Sequence, residues 1–259
     1  MKNILKISYS IIFLLAGTLT VNSAEKVDLL KTDWSFKGLF GKFDRGALQR
    51  GYQVYSEVCA GCHSMKYVSY RNLFEPGGPE FTEDQAKAIA AGFEVTDGPN
   101  SDGEMFVRPA KLSDKFVMPF ANVKAAQVAN GGAYPPDMSV LAKARTGGVD
   151  YIYSLLLGYE DPPSGVTLED GVYYNKYMYG NNIKMSEPLS DGLVEYSDGT
   201  TASKEQMAKD VTTFLMWAAE PHLESRHKMG FKAILYLIIL TILVYFSMKK
   251  IWSRVESEV

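Results

Sequence analysis

The sequence predicts a mainly α-helical, loop-rich domain that is exported and then held at a membrane by one helix near its C-terminus. Three observations predict it. The chain opens with a basic, apolar leader and closes with a long uncharged run. Between them, segments with apolar residues at helical spacing alternate with stretches that use much of the chain's 22 Gly and 11 Pro. The charge is also uneven. From Glu25 to Glu224 there are 28 acidic and 19 basic side chains, a net −9, whereas Arg226 to Val259 carries a net +4. Such asymmetry points to a membrane or a charged partner.

The leader, "MKNILKISYSIIFLLAGTLTVNSA", has Lys2 and Lys6, an apolar core from Ile7 to about Leu19, and the small pair Ser23-Ala24. This predicts a secretory signal peptide over residues 1–24, cleaved after Ala24. Arginine is absent before Arg45, which argues against a mitochondrial transit peptide. Residues 25–228 are then expected on the periplasmic side.

In "DRGALQRGYQVYSEVCAGCH", apolar residues recur at near-helical spacing from Ala47 to Val58. This predicts a helix starting near Arg45 that delivers Cys59, Cys62 and His63 at its C-terminal end. These are the only two cysteines in the chain. A disulfide, a redox dithiol and half a zinc site are alternatives, but zinc needs two more ligands, and the only other histidines are His222 and His227, beside the membrane run. C-x-x-C-H has a sharper chemical meaning, the attachment of c-type haem. Two thiols form thioethers with the two vinyl groups of one porphyrin, and the next residue, His63, supplies the proximal iron ligand.

Further along, "FTEDQAKAIAAGF" carries a capping-box pattern at Thr82 and Gln85. Pro135-Pro136-Asp137 is expected to start a helix from Met138 to Thr146, ended by Gly147-Gly148, and Asp150 to Tyr159 predicts a second apolar helix. Residues 161–198 are long, aromatic and weakly periodic, compatible with short strand pairs. Ser203 and Gln206 form another capping-box pattern. Met207, Val211, Phe214, Leu215 and Ala218 line one face of the helix that follows, up to Pro221. Taken with the pentad, this predicts a c-type cytochrome domain: mainly α, with long loops around one covalently bound haem that serves as much of the core.

The closing run, Phe231 to Met248, is 18 residues and about 27 Å as a helix, close to a hydrocarbon core of roughly 30 Å. Lys249, Lys250, Trp252 and Arg254 follow it. We expect a transmembrane anchor helix over residues 229–248 and a cytoplasmic tail over residues 249–259, the orientation agreeing with the export signal.

The ligand opposite His63 is open at this level. An empty position suggests gas or peroxide chemistry, and a thioether suggests electron transfer. Met118 in "FVMPF" and Met185 in "NIKMSEP" both lie near proline in loops.

The motifs "VCAGCHSM", "ANGGAYPPDMS", "ARTGGVDYIYSLLLGYEDPPSGV", "NNIKMSEPL", "VTTFLMWAAEP" and "RHKMGFK" occur in that order. In this set the chain resembles the cytochrome c1 family, the haem c subunits of cytochrome bc1 complexes, in its bacterial form. The resemblance implies that Met185 is the second axial ligand, with Asn130, Pro135 and Pro136 against the haem. It implies Arg145 on a propionate, Tyr151, Leu155 and Leu156 lining the pocket, and Ile183 and Pro188 beside the methionine. It also implies a subunit of ubiquinol:cytochrome c oxidoreductase that takes one electron from the Rieske iron–sulfur protein. That electron passes to a soluble or membrane-tethered cytochrome c, in a dimeric complex with cytochrome b in the bacterial inner membrane. No catalytic acid–base residues and no nucleic acid partner are expected. Another membrane-anchored monohaem cytochrome, or a haem sensor or peroxidase, is the alternative.

Overall fold

The computed structural model describes residues 27–256. The expected signal peptide lies outside the described residues.

Helix α1, Arg45–Val54, begins where Asp44 accepts a hydrogen bond from the Ala47 amide at 3.1 Å. It buries Ala47, Leu48, Gly51, Tyr52 and Val54. The helix then widens. The Ala60 amide reaches back five residues to the Tyr55 carbonyl at 2.8 Å, and the His63 amide returns to the Cys59 carbonyl at 2.9 Å. This π-type turn re-aims the chain as the pentad begins, so the helix delivers the motif as its spacing predicts.

A 3₁₀ turn at Tyr70–Leu73 follows, then α2, Glu83–Ala91. Both halves of its capping box form: Thr82 Oγ1 accepts from the Gln85 amide, and the Gln85 side chain accepts from the Thr82 amide. The antiparallel pair β1, Glu94–Asp97, and β2, Phe106–Pro109, has no clear pattern in the sequence. Each strand is four residues long and alternation is too brief to read. Next come α3, Val123–Ala129; α4, Leu141–Ala144; and α5, Gly148–Leu157. The weakly periodic region holds one short pair, β3, Tyr173–Tyr174, with β4, Asn182–Ile183. Helix α6, Lys204–Ala219, and α7, Leu223–Glu256, complete the order.

Two local expectations need correction. The helix expected over Met138 to Thr146 exists only as Leu141–Ala144. The Met138 amide bonds across to the Ser64 carbonyl at 2.8 Å and the Leu141 amide turns back to the Met138 carbonyl at 3.2 Å, so residues 135–140 stay outside a helix. Gly147 and Gly148, expected to end that helix, instead open α5, with φ of +87° and +54°. The Ser203 capping box is half formed. Ser203 caps the Gln206 amide, but the Gln206 side chain turns to Asp210.

Helix α1 lies directly against α6. A Cβ placed on Gly51 would sit 2.2 Å from the Asp210 carbonyl oxygen, so only glycine permits this approach. Around the crossing, Tyr52 and Tyr55 meet Phe214 at centroid distances of 5.7 and 5.8 Å, and Phe116 stacks on Tyr55 at 6.0 Å. We expect Gly51→Ala to destabilise the domain by about 1–3 kcal/mol through overpacking. Thermal melts of the holoprotein check this. An unchanged melt would mean that the helices separate freely.

The N-terminal segment buries Trp34, Phe36 and Phe43. Trp34 Nε1 donates to Asp150 at 2.5 Å, and the Leu30 amide to Ser154 Oγ at 2.9 Å, both on α5. Helix α7 departs from this body. Only its first turn, at Leu223 and Glu224, is buried, and the apolar stretch beyond is exposed along its length. Its 34 residues span about 51 Å, more than the expected 229–248 and more than a hydrocarbon core requires. Among the described residues it is the one helix long and apolar enough to cross a membrane, and its ends project past the apolar run.

Candidate haem site

The pentad is placed by α1 and its widened last turn. Cys59 is half-buried, and burial pushes its thiol up to about 12; Cys62 is exposed. The two thiols are not bonded to one another. Among the described residues, no three His, Cys, Asp or Glu side chains converge as a metal site, so the zinc reading finds no further ligands.

His63 is buried at 8% exposure. Its Nδ1 donates to the Pro136 carbonyl at 2.8 Å. A nitrogen donating to a carbonyl must carry the proton, so Nε2 holds the lone pair, and it makes no hydrogen bond among the described residues. Burial pushes the imidazole below its ordinary pKa, outweighing the carbonyl's opposite pull. The side chain is thus a neutral imidazole with one unengaged nitrogen, the form a metal ligand takes.

The non-helical strap 135–139 is what holds this geometry. Asp137 accepts from Ser64 Oγ at 2.8 Å, the Lys66 amide at 3.0 Å and the Ser139 amide at 3.0 Å. The spacing puts Asp137 at a helix start and gives no sign of this clamp, two of whose partners lie about seventy residues away. Burial works to raise the Asp137 pKa, but the Ser139 hydroxyl, the Lys66 amide, Ser64 Oγ and the Ser139 amide outweigh it and hold the carboxyl below the usual range. Its contribution to stability is therefore present above the unfolded value of about 4 and is lost as pH falls through the lower folded value. We expect Asp137→Asn to lower the melting temperature at pH 7, with the gap from wild type closing below about pH 4. Melts at both pH values check it, and a gap independent of pH would show that the clamp does not depend on charge.

Other residues named for the haem surround lie on α5 and in the loop after β4. Met185 is half-buried, and its carbonyl accepts from Tyr159 Oη at 3.0 Å. Lys184 Nζ donates to the Gly131 carbonyl at 2.9 Å, which ties the Met185 loop to the turn carrying Asn130. Asn130 is half-buried, with its side chain on the Ala126 carbonyl. Ile183 and Pro188 flank Met185, both half-buried. On α5, Tyr151 and Leu155 are half-buried, whereas Leu156 is turned into the core at 9% exposure. Tyr151 Oη lies 3.5 Å from Met178 Sδ, a sulfur contact the sequence does not announce. Arg145 is exposed, and its side chain makes no hydrogen bond or ion pair among the described residues. Met118 is more exposed, at 52%, and shares a groove with Cys62, Ser64, Tyr134 and Pro135.

These residues fit a covalently held haem. A tautomer-fixed histidine has a free nitrogen beside two unbonded thiols, half-exposed apolar side chains lack a cover, and a guanidinium lacks an anion. The fit is one of donor type and surface chemistry.

Comparison with known proteins agrees. The family model described as the Cytochrome C1 family matches residues 34–255. A cytochrome b/c1 of Bradyrhizobium diazoefficiens is 50% identical over 239 residues, covering 85% of this chain and 35% of that protein. The mitochondrial heme protein cytochrome c1 1 of Arabidopsis thaliana is 49% identical over 224 residues, covering 86% and 72%. A cytochrome c1 of Rhodospirillum rubrum is 47% identical over 246 residues, covering 89% of each chain. The chain thus spans about a third of the first of these relatives and most of the other two.

Proposed function

This chain belongs to the cytochrome c1 family, and from that premise we propose that it passes single electrons from the Rieske iron–sulfur protein to a c-type cytochrome within a bc1 complex. Haem c, when bound, supplies the one-electron iron couple. The protein's part is to fix and tune it. Cys59 and Cys62 would hold the porphyrin through thioethers, and His63 and Met185 would supply the imidazole and thioether that ligate its iron. Arg145 would neutralise a propionate, and Pro135, Pro136, Tyr151, Leu155, Leu156, Ile183 and Pro188 would form the largely apolar surround, with the Asn130 carboxamide beside it. The observation that carries this reading is the His63 hydrogen bond to the Pro136 carbonyl. It leaves Nε2 as the ligand atom and makes the imidazole a stronger donor.

No general acid–base pair is needed, because the reaction moves only an electron through this subunit. The net −9 of residues 25–224 suits encounter with a basic carrier protein, at a rate that falls with salt. We assign residues 25–228 to the periplasmic haem domain, with the anchor helix at the bacterial inner membrane and the tail in the cytoplasm. The complex is a dimer that includes cytochrome b. Purification in mild detergent tests this. The chain should co-elute with a cytochrome b, give a c-type pyridine haemochrome, and sustain quinol-to-cytochrome c electron transfer. Elution alone, without quinol-dependent activity in any fraction, would overturn the assignment.

A further inference from the structure

The chain between Trp34 and Phe43 makes a tight turn at the foot of the domain. Its ends are fixed in the core by Trp34, Phe36 and Phe43. Its tip is not: Leu39 and Phe40 are 57% and 71% exposed. The tip is nonetheless held in place. Phe40 meets Phe231 of α7 edge-on at 5.8 Å, and His227 Nδ1 lies 3.3 Å from the Gly41 carbonyl. Between this turn and the first turns of α7 runs a groove with an apolar floor of Leu39, Phe40 and Phe231.

Three ammonium groups edge the groove, those of Lys42, Lys228 and Lys232. None makes a hydrogen bond or ion pair among the described residues. The one carboxylate in the lining, Glu224, is gripped by Arg45, which also pairs with Glu80 at 3.0 Å, and nearby Lys228 helps hold it below its ordinary pKa. The carboxylate takes the fork of Arg45 at 2.8 and 3.0 Å and the Phe43 amide at 2.9 Å. The groove therefore combines an apolar floor with an unbalanced positive rim. Its height is set by α7. Lys232 directly precedes the uncharged run Ala233 to Met248, so the rim lies at the headgroup layer, with the apolar floor beside the acyl boundary. This flank is the exported one, where retention of basic residues gives no reason for lysines.

We propose that this groove binds an anionic phospholipid, its phosphate among Lys42, Lys228 and Lys232 and an acyl chain along Phe40 and Phe231. The proposal rests on the reading that α7 spans the membrane. The complex is purified with the full-length chain, wild type or Lys42→Gln/Lys228→Gln/Lys232→Gln, and exchanged into nanodiscs of phosphatidylcholine with a minor fraction of phosphatidylglycerol. Lipid retained per haem is then counted by native mass spectrometry. Wild type should retain phosphatidylglycerol over phosphatidylcholine. The triple variant should lose that preference, at about fivefold per charge and roughly 100-fold together, with haem content unchanged. A second variant, Phe40→Ser, should weaken retention of both lipids alike. Equal retention of the two lipids by wild type, or an unchanged preference in the triple variant, overturns the proposal. So does cross-linking of Lys42 to cytochrome b with no lipid present. Alkaline carbonate washing separates the two readings. A chain that washes off refutes the anchor, whereas one that stays without headgroup preference refutes only the lipid site.

Discussion

Met185→Leu should convert a protein whose reduced form ignores carbon monoxide into one that binds it. Leucine fills the same volume but offers no sulfur lone pair, so nothing on this wall of the pocket competes for the sixth position. The midpoint potential should fall by on the order of 0.1–0.3 V, within the roughly 0.8 V that axial ligation spans. Turnover from quinol to cytochrome c should drop by about tenfold or more, because the downhill step into this subunit is lost. The matching control is Met118→Leu, which should change neither potential nor carbon monoxide binding. Both methionines lie in loops near proline, and sequence reasoning alone left them level. The structure distinguishes their settings. Met185 has its carbonyl pinned by Tyr159 and its neighbour Lys184 tied to Gly131, whereas Met118 is the more exposed of the two. If Met118→Leu opens the iron and Met185→Leu does not, the ligand assignment is wrong.

Arg50→Met should be the most damaging substitution away from the haem. Asp210 is buried on α6 at 1% side-chain exposure and takes Arg50 Nε at 2.8 Å and Nη2 at 3.2 Å from α1. Arg50 also holds Asp198 at 2.8 Å. The Asp198 carboxyl, bonded to the Thr200 amide and to this guanidinium, is lowered to about 2. Without the guanidinium, Asp210 keeps the Gln206 side-chain amide at 3.0 Å and the neighbouring Tyr196 hydroxyl. Stranding a buried carboxylate costs about 3–5 kcal/mol. For a domain of this size that is a fall of roughly 10 °C in melting temperature. The double variant Arg50→Met/Asp210→Leu should recover most of the loss, since an apolar pair leaves no orphan charge. A double variant as unstable as the single one would mean that the pair contributes shape, not charge balance.

The sequence carried those features that depend on neighbours along the chain. The pentad, the helix that delivers it, the Thr82 capping box and the apolar anchor are each legible within about twenty residues. What stayed hidden depends on partners far apart in the chain. Nothing near Asp137 announces that Ser64 and Lys66 will claim it, so the Pro-Pro-Asp run read as a helix start. Gln206 stands three residues after Ser203 as a capping box requires, yet the buried charge of Asp210 draws its side chain away. Nor does Gly51 look different from any other helix glycine until α6 is seen against it. The site residues near Met185 were named by family resemblance, and periodicity alone would have passed over them.

The imidazole of His63 is held by a main-chain oxygen, and a substitution replaces a side chain, never that atom. Mutational drift therefore has little purchase on this hemisphere of the pocket, short of deforming the backbone itself. The loop of residues 183–188 is held by side chains, the phenol of Tyr159 and the ammonium of Lys184. Evolutionary retuning of the chain's redox set-point should accordingly accumulate there, with the histidine hemisphere acting as the fixed reference against which it is adjusted.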